Sequence, residues 1–428
     1  MDASTADTQR WTHEQFGECE LGDQRRTKRL LTVAAQVAEN PSGSFPEQAA
    51  SWGDLKGVYR LFDAEDVTFE AVVRPHWEHS RAHSPAVGLV LCDTTELDFG
   101  IQRGIEGLGP TGNGGGSGFL LHSALLVDAE SEEVTGCLGQ KIHYRKEAPA
   151  KENATQRLAR ERESEIWCEV CDRVGLPPEQ TQWIHVCDRG GDNFELFVHL
   201  QQNRVDWVVR SSQLHRKVLD PQGRELTLRA HLDTLSPSGA LALKLRARPG
   251  QAARTAKLAV SFGEVRIPLP KQKSPYVKAH ASGPIAMRVA HVREIDPPSG
   301  VEPLEWVLYT SLPVNGFDDA VGVVGHYENR WVIEEWHKGI KTGCRVTQRQ
   351  LQTTERLEPM VGLMCVVAVR LLQLRSAART SPERPALEVV PQMWVCLLCA
   401  ARKLRRAPAD MTSSARSMPR TMAWATFI

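Results

Sequence analysis

VGLVLCDTTELDFG, residues 87–100, is the first stretch of this 428-residue chain that cannot be read as helix. Its apolar run VGLVLC stops at Asp93, and a short continuous apolar run of this kind reads as a strand buried on both faces. Upstream, residues 11–83 carry only helical signals. In GDQRRTKRLLTVAAQVAENPSG, Asp23 is a candidate N-cap, Leu30, Val33, Ala34 and Val37 recur at helical spacing, and Asn40-Pro41 stops the helix. WGDLKGVYRLF and TFEAVVRPHWEHSRAH keep the same period. Downstream, GFLLHSALLV (118–127) and EVTGCLGQKIHY (133–144) read as strands, and KENATQRLARERESEIWCEVCDRVG (151–175) as an amphipathic helix. TQWIHVCDRGGDNFELFVHLQQN is a strand followed by a helix, and VDWVVRS is another strand. This order predicts an α/β sheet of mixed strand direction behind an all-α N-terminal region.

From about 213 to 303 the pattern changes to short basic strands punctuated by Gly and Pro: LTLRAHL, ALALKLRA, AKLAVSF, EVRIPLP and IAMRVAHVREI. They read as a β-rich insertion. LEWVLYTSLPV (304–314) resumes the sheet, a long helical region covers about 317–341, and a second covers about 354–375. With 41% hydrophobic residues, a chain of this length can bury the cores of two or three domains. MDASTADTQRWTHEQFGE lacks the basic start and apolar stretch of a signal peptide. The longest apolar run, Pro359 to Leu374, is broken by Arg370 and is too short to span a bilayer, so the expectation is a cytoplasmic protein off the membrane. The 10 cysteines are scattered through apolar patterns, which suits reduced core thiols and predicts no structural disulfide.

Lys+Arg and Asp+Glu both number 52, and a formal net charge of zero taken whole argues against a nucleic-acid binder. By segment it does not. Residues 1–70 hold 7 basic and 13 acidic side chains (net −6), residues 203–300 hold 17 and 7 (net +10), and residues 401–428 hold 6 and 1 (net +5). A basic face can therefore exist on a neutral molecule.

Asp93 follows VGLVLC and Asp188 follows WIHVC, so each is expected at the C-terminal end of an apolar strand, where α/β sheets place ligand and metal groups. An Asp just after a strand also serves as a turn cap. The third element is HYENRWVIEEWHKGIK. On a helix of about 100° per residue, Tyr327, Arg330, Glu334 and Lys341 fall within an arc of about 60°. A solvated salt-bridge stripe has the same spacing.

The spacing Y-x2-R-x3-E-x6-K, realised as Tyr327, Arg330, Glu334 and Lys341, resembles the Y-R-E-K signature of the insertion-sequence-four family of bacterial DDE transposases, in its transposon-five-like branch. DTTELDF around Asp93 and CDRGGDNFEL around Asp188 resemble the family's two acidic motifs, and LGDQRRTKRLLTVAAQVAENP its N-terminal end-binding domain. The resemblance runs over about 11–375. It implies a helical end-binding domain over 1–84, an RNase H-like catalytic core over 85–375 with the β-rich insertion at 213–303, and a helical C-terminal dimerisation region from 376. It further implies that Asp93, Asp188 and Glu334 hold two Mg²⁺ ions, with Mn²⁺ as an alternative. Tyr327, Arg330 and Lys341 would contact phosphates beside them. Two such metals activate the attacking oxygen and neutralise the phosphorus centre. The implied activity is nicking at a transposon inverted-repeat end, hairpin formation, reopening and joining to target DNA, by a homodimer on double-stranded DNA. Trp306 sits where the family keeps an aromatic for an extruded base, and Arg210 matches an arginine near the active site; a core Trp on a strand is the plain alternative.

For end recognition the candidates are Arg25, Arg26, Lys28, Arg29, Lys56 and Arg60, with Arg25 and Arg29 one turn apart on the same helix. Lys271, Lys273 and Lys278 could form a less specific track. Basic side chains are expected on one surface around Glu334. GLGPTGNGGGSGF lacks the GK[ST] of a phosphate loop and leads into a strand, so it reads as a hairpin loop. CEVC (168–171) and CLLC (396–399) have zinc-like spacing but lie in helical, apolar patterns and read as core. Strand alternation points His185 away from Asp188. The final stretch TSSARSMPRTMAWATFI loses helical periodicity, as a frameshifted or truncated frame would, and the expectation is a dimer helix that is incomplete. Two further readings are an end-binding or inhibitory protein without catalysis, and a structure-selective nuclease on the same core.

Overall fold

The computed structural model describes residues 3–146, 151, 153, 156, 162–245 and 253–380. Five helices open the chain: α1 (Ala3–Phe16), α2 (Gln24–Glu39), the short α3 (Phe45–Gln48), α4 (Trp52–Phe62) and α5 (Phe69–Ala82). The Asp23 side chain caps α2 by accepting from the Arg25 N–H, Leu30, Val33, Ala34 and Val37 form its buried stripe, and Asn40 closes it. Ser51 and Thr68 cap α4 and α5 in the same way.

The sheet then begins with β1 (Val87–Asp98), β2 (Gly109–Thr111), β3 (Gly116–Asp128) and β4 (Val134–His143). After α6 (Glu165–Val174) come β5 (Gln182–Cys187), α7 (Phe194–Gln202) and β6 (Asp206–Arg210). β1, β5 and β6 run parallel, whereas β3 is antiparallel to β1, so the strand directions are mixed. The glycine-rich loop joins β2 and β3 as an antiparallel hairpin. Of the stretch read as helix over 151–175, Glu165–Val174 and Gln156 are helical among the described residues.

β7 (Lys217–Leu219), β8 (Glu225–Thr227), α8 (Leu228–Leu232), β9 (Gly239–Leu245), β10 (Arg254–Ile267), α9 (Pro275–His280), β11 (Ile285–Ile295) and β12 (Glu305–Thr310) follow. Two strand expectations change here. LTLRAHL turns into helix α8 because Thr227 accepts from the Ala230 N–H at 3.2 Å and so nucleates a capped turn. AKLAVSF and EVRIPLP are one strand, β10, because β11 pairs it without a break from Lys257↔Ile295 to Ile267↔Ile285. β11 pairs β12, and β12 pairs β6. Among the described residues, twelve strands thus form a single sheet in the order β2-β3-β1-β5-β6-β12-β11-β10-β7-β8, with β4 on β3 and β9 on β10.

Strand alternation divides the interior in two. Leu89 and Leu91 face a core shared with the N-terminal helices, while Val90 and Cys92 face a second core with α6 and α7. On the first side also lie α10 (Phe317–Glu328), α11 (Trp331–Lys338) and α12 (Thr354–Thr380). α5 approaches β4 at Gly136, where a Cβ would lie 2.0 Å from the Ser80 hydroxyl, and His76 Nε2 accepts from the Cys137 N–H at 3.0 Å. Residues Thr354–Ser376 of α12 are long and apolar enough to cross a membrane, but 72% of the most apolar window is buried inside the protein, against α5 and β4. The eight described cysteines are free and buried, Cys168 and Cys171 among them on α6. Cys396, Cys399 and the rest of the expected dimerisation region beyond 380 lie outside the described residues.

Candidate active site and nucleic-acid interface

β1 and β5 pair with Cys92 opposite Cys187, so the next residues, Asp93 and Asp188, are carried to neighbouring positions. Asp93 is not at a strand end. β3 keeps pairing β1 beyond β5, with Asp93 opposite Ser123 and Thr94 opposite His122, and the strand continues to Asp98. β5 does end at Cys187, and Asp188 caps the turn Arg189–Gly191, its Oδ1 accepting from the Gly190 N–H at 2.7 Å. The cap reading is therefore true of Asp188, with the second carboxylate oxygen left over. Asp192, the other acid of the same motif, is enclosed: it accepts from Ser211 Oγ at 3.2 Å and the Ser212 N–H at 2.8 Å, and pairs with Arg216.

The third carboxylate arrives from the helical region, which is not one regular helix. α10 ends at Glu328, the Arg330 N–H bonds Tyr327 O at 3.1 Å and the Val332 N–H bonds Asn329 O at 3.0 Å, and α11 starts at Trp331. These i→i+3 bonds tighten one turn, and Gly339–Gly343 then widens into a π-helical turn. Uniform rotation along the helix therefore fails: Tyr327 is buried, whereas Lys341 is exposed. The pair at the centre keeps its register. Arg330 donates to Glu334 Oε1 at 2.6 Å through Nη2 and approaches Asp93 Oδ2 at 3.4 Å through Nη1. Glu334 and Asp93 thus share one guanidinium. Among the described residues no three Asp, Glu, His or Cys side chains close into a metal cage, and Glu334 is turned to Arg330.

The electrostatics concentrate on Asp93. Its side chain is 14% exposed, Oδ1 accepts from the Thr94 N–H at 2.8 Å, and burial followed by the charge of Asp188, with Glu334 adding to them, pushes its carboxyl up to about 7 despite Arg330. Glu96 and Asp93 are the acids whose charge Lys341 feels. Sequence reasoning missed His337, three residues after Glu334. Its Nδ1 lies 4.0 Å from Asp93 Oδ2, and burial, with Lys341, His122 and Arg330, drives its imidazole down to about 3. His122, on β3, meets Thr94 Oγ1 through Nδ1 at 2.8 Å. The E-x2-H spacing was the available signal.

Trp306, on β12, is half-buried and meets Tyr327 edge to face at a centroid distance of 5.5 Å. Arg210, paired with Leu308 across β6 and β12, donates to Glu305 O at 3.3 Å, so it sits one residue from Trp306. The Arg330 guanidinium lies 5.2 Å from the ring of Trp331, a 51% exposed side chain also unremarked in the sequence. Asp93, Asp188, Glu334, Tyr327, Arg330, Trp306 and Arg210 therefore come together from five separate stretches of chain.

The six N-terminal cations do not behave alike. Arg25 is bonded to Asp23 at 2.7 Å, Arg26 to Asp66 at 2.5 Å and to Leu21 O at 2.8 Å, and Arg29 crosses from α2 to Asp54 of α4. Arg25 and Arg29 are thus each paired with an acid of this segment, Asp23 and Asp54. Lys28, Lys56 and Arg60 are exposed, and Lys56 lies 5.3 Å from the ring of Trp52, which is 69% exposed. Lys271 and Lys278 are exposed and Lys273 half-buried, but α9, which carries Lys278, packs through Val277 into the second core, across the sheet from α11. Residues 8–67, from the middle of α1 past the end of α4, match the family model for transposase DNA-binding domains. That match supports a transposase with DNA as its partner.

Proposed function

We propose that the chain is a cut-and-paste DNA transposase of the insertion-sequence-four type, with an RNase H-like core and a DDE triad of Asp93, Asp188 and Glu334. The observation that supports this reading best is the pairing of Cys92 with Cys187, which sets two aspartates side by side, together with the Arg330 guanidinium shared by Asp93 and Glu334. A transposase DNA-binding segment precedes them on the same chain.

The residues suit Mg²⁺. All three donors are hard carboxylate oxygens, and Asp93 is raised to about 7 by its burial and its acidic neighbours, the mark of a site short of positive charge. Asp93, Asp188 and Glu334 would hold the metal, which supplies Lewis-acid stabilisation of phosphoryl charge and lowers the pKa of bound water. The remaining work falls to the chain. Arg330 holds Glu334 beside Asp93 and, turned outward, offers a planar fork to a phosphate. Lys341 adds a point charge at the rim. Trp306 against Tyr327 gives an extruded base a stacking surface for the hairpin step. Among the described residues, Lys28, Lys56 and Arg60 carry the cationic charge of the end-binding segment that is not held in an ion pair.

Asp93→Asn, Asp188→Asn and Glu334→Gln should each abolish Mg²⁺-dependent cleavage of transposon-end DNA and leave binding to that DNA unchanged in a gel-shift assay. Cleavage that survives any one substitution removes that residue from the triad. Cleavage without strand joining in the wild-type chain would make it a structure-selective nuclease.

A further inference from the structure

We infer that His337 is a positioning residue for the Asp93 carboxylate, an inference that rests on the triad reading of that aspartate. His337 is 6% exposed on α11, the helix that brings Glu334, and its neighbour Trp336 anchors the turn by donating from Nε1 to Cys365 O at 3.2 Å. Asp93 accepts from the Thr94 N–H on Oδ1 at 2.8 Å and from Arg330 on Oδ2 at 3.4 Å, and His337 Nδ1 faces the same Oδ2 at 4.0 Å, beyond hydrogen-bond reach. The first is backbone. The second is the group that the proposed reaction draws away toward a phosphate. Among the described residues His337 is then the side chain left facing Oδ2, at a separation that has to shorten by about 1 Å for a hydrogen bond to form in the complex.

The ring's own bonding indicates which nitrogen carries the proton. Among the described residues, Nε2 is buried without a hydrogen-bond partner. A buried N–H left unpaired costs the desolvation of a donor, so the proton belongs on Nδ1, the nitrogen that faces Asp93, and Nε2 keeps a bare lone pair. A donor on a carboxylate that holds a metal sets the orientation of that carboxylate, and losing such a partner typically costs about 10- to 100-fold in metal affinity.

Two substitutions separate positioning from packing. An Asn amide nitrogen can take the place of Nδ1, whereas a Gln amide reaches the place of Nε2 but resembles histidine more closely in volume. Binding of Mn²⁺ to the full chain, followed by calorimetry, should stay within about threefold of wild type for His337→Asn and weaken by about 10- to 100-fold for His337→Gln, with cleavage of end DNA following the same order. His337→Gln equal to or better than His337→Asn in Mn²⁺ affinity overturns the inference, because packing alone favours the larger side chain. Asp93→Asn measured beside them keeps the two ideas apart. If it binds Mn²⁺ like wild type, the triad reading fails; if it loses Mn²⁺ while His337→Gln does not, only the role of His337 falls.

Discussion

A carboxyl raised to about 7 is a liability to the free protein, and Asp93 shows why a site of this kind costs stability. Its folded pKa lies above the unfolded value of about 3.9, so the ionised form is disfavoured by folding. The cost is fully present above pH about 7, shrinks as the pH falls through that value, and vanishes below about 3.9. Asp93→Asn should therefore stabilise the metal-free protein by about 2–4 kcal/mol at pH 8 and by almost nothing at pH 3.5, measured by chemical denaturation at the two values. Added Mg²⁺ should raise the thermal midpoint of the wild type at pH 8 and leave that of the variant unchanged. A variant that is less stable than wild type at pH 8 would show that Arg330 already neutralises the site. At this scale the identities of Asp93, Asp188, Arg330 and Glu334 were legible in the sequence. The role of Asp192 was not, since only the fold shows that Ser211, Ser212 and Arg216 close around it.

Helical periodicity located the region of α10 and α11 but could not show its tightened turn at Asn329 and Arg330 or its π-helical end, because both arise from how the backbone settles against the sheet. What fixes that end is Arg349. Its guanidinium donates to Pro41 O at 2.7 Å, to Cys344 O at 3.0 Å and to Gly43 O, and lies 5.2 Å from the Phe45 ring. One buried side chain thus ties the α2–α3 loop to the turn that follows Lys341. Arg349→Met keeps much of the volume and leaves three carbonyls without their donor. It should cost about 3 kcal/mol or more in denaturation, while Arg345→Met, at an exposed position, changes little. Equal stability of the two variants would mean that water replaces the guanidinium without loss. Nothing in a local pattern marks Arg349 as different from Arg345, since Pro41 and Gly43 lie some 300 residues away in sequence.

Over the whole molecule, the charge pattern separates cations that bind elsewhere from cations that hold the fold. Lys56→Ala and Arg60→Ala should each lower the slope of log K against log salt by about one for a random-sequence DNA duplex, measured by fluorescence anisotropy, with the thermal midpoint unchanged. Arg29→Ala should do the reverse. It removes the partner of Asp54, a carboxylate that also receives Gln36 Nε2 at 2.7 Å and the Ala50 N–H at 3.1 Å between α2 and α4, so stability falls and the salt slope stays. A lost slope in Arg29→Ala at unchanged stability would return that residue to the DNA surface.

The sequence by itself determined helices α2, α4 and α5 of the N-terminal segment, the mixed strands around Asp93 and Asp188, and the residue types of the candidate site. These depend on caps, periodicity and apolar runs, which act over a few neighbouring residues. Only the tertiary structure decided that β10 is one strand, that the strands after 213 continue the same sheet, and that Arg26 and Arg29 are held by acids of their own domain. It alone brought His337 to Asp93. Each of those outcomes depends on a partner far along the chain, on β11, on β6 and β12, on Asp66 and Asp54, or across the interface of α11 with β1, and distance in sequence hides such a partner until the backbone has closed.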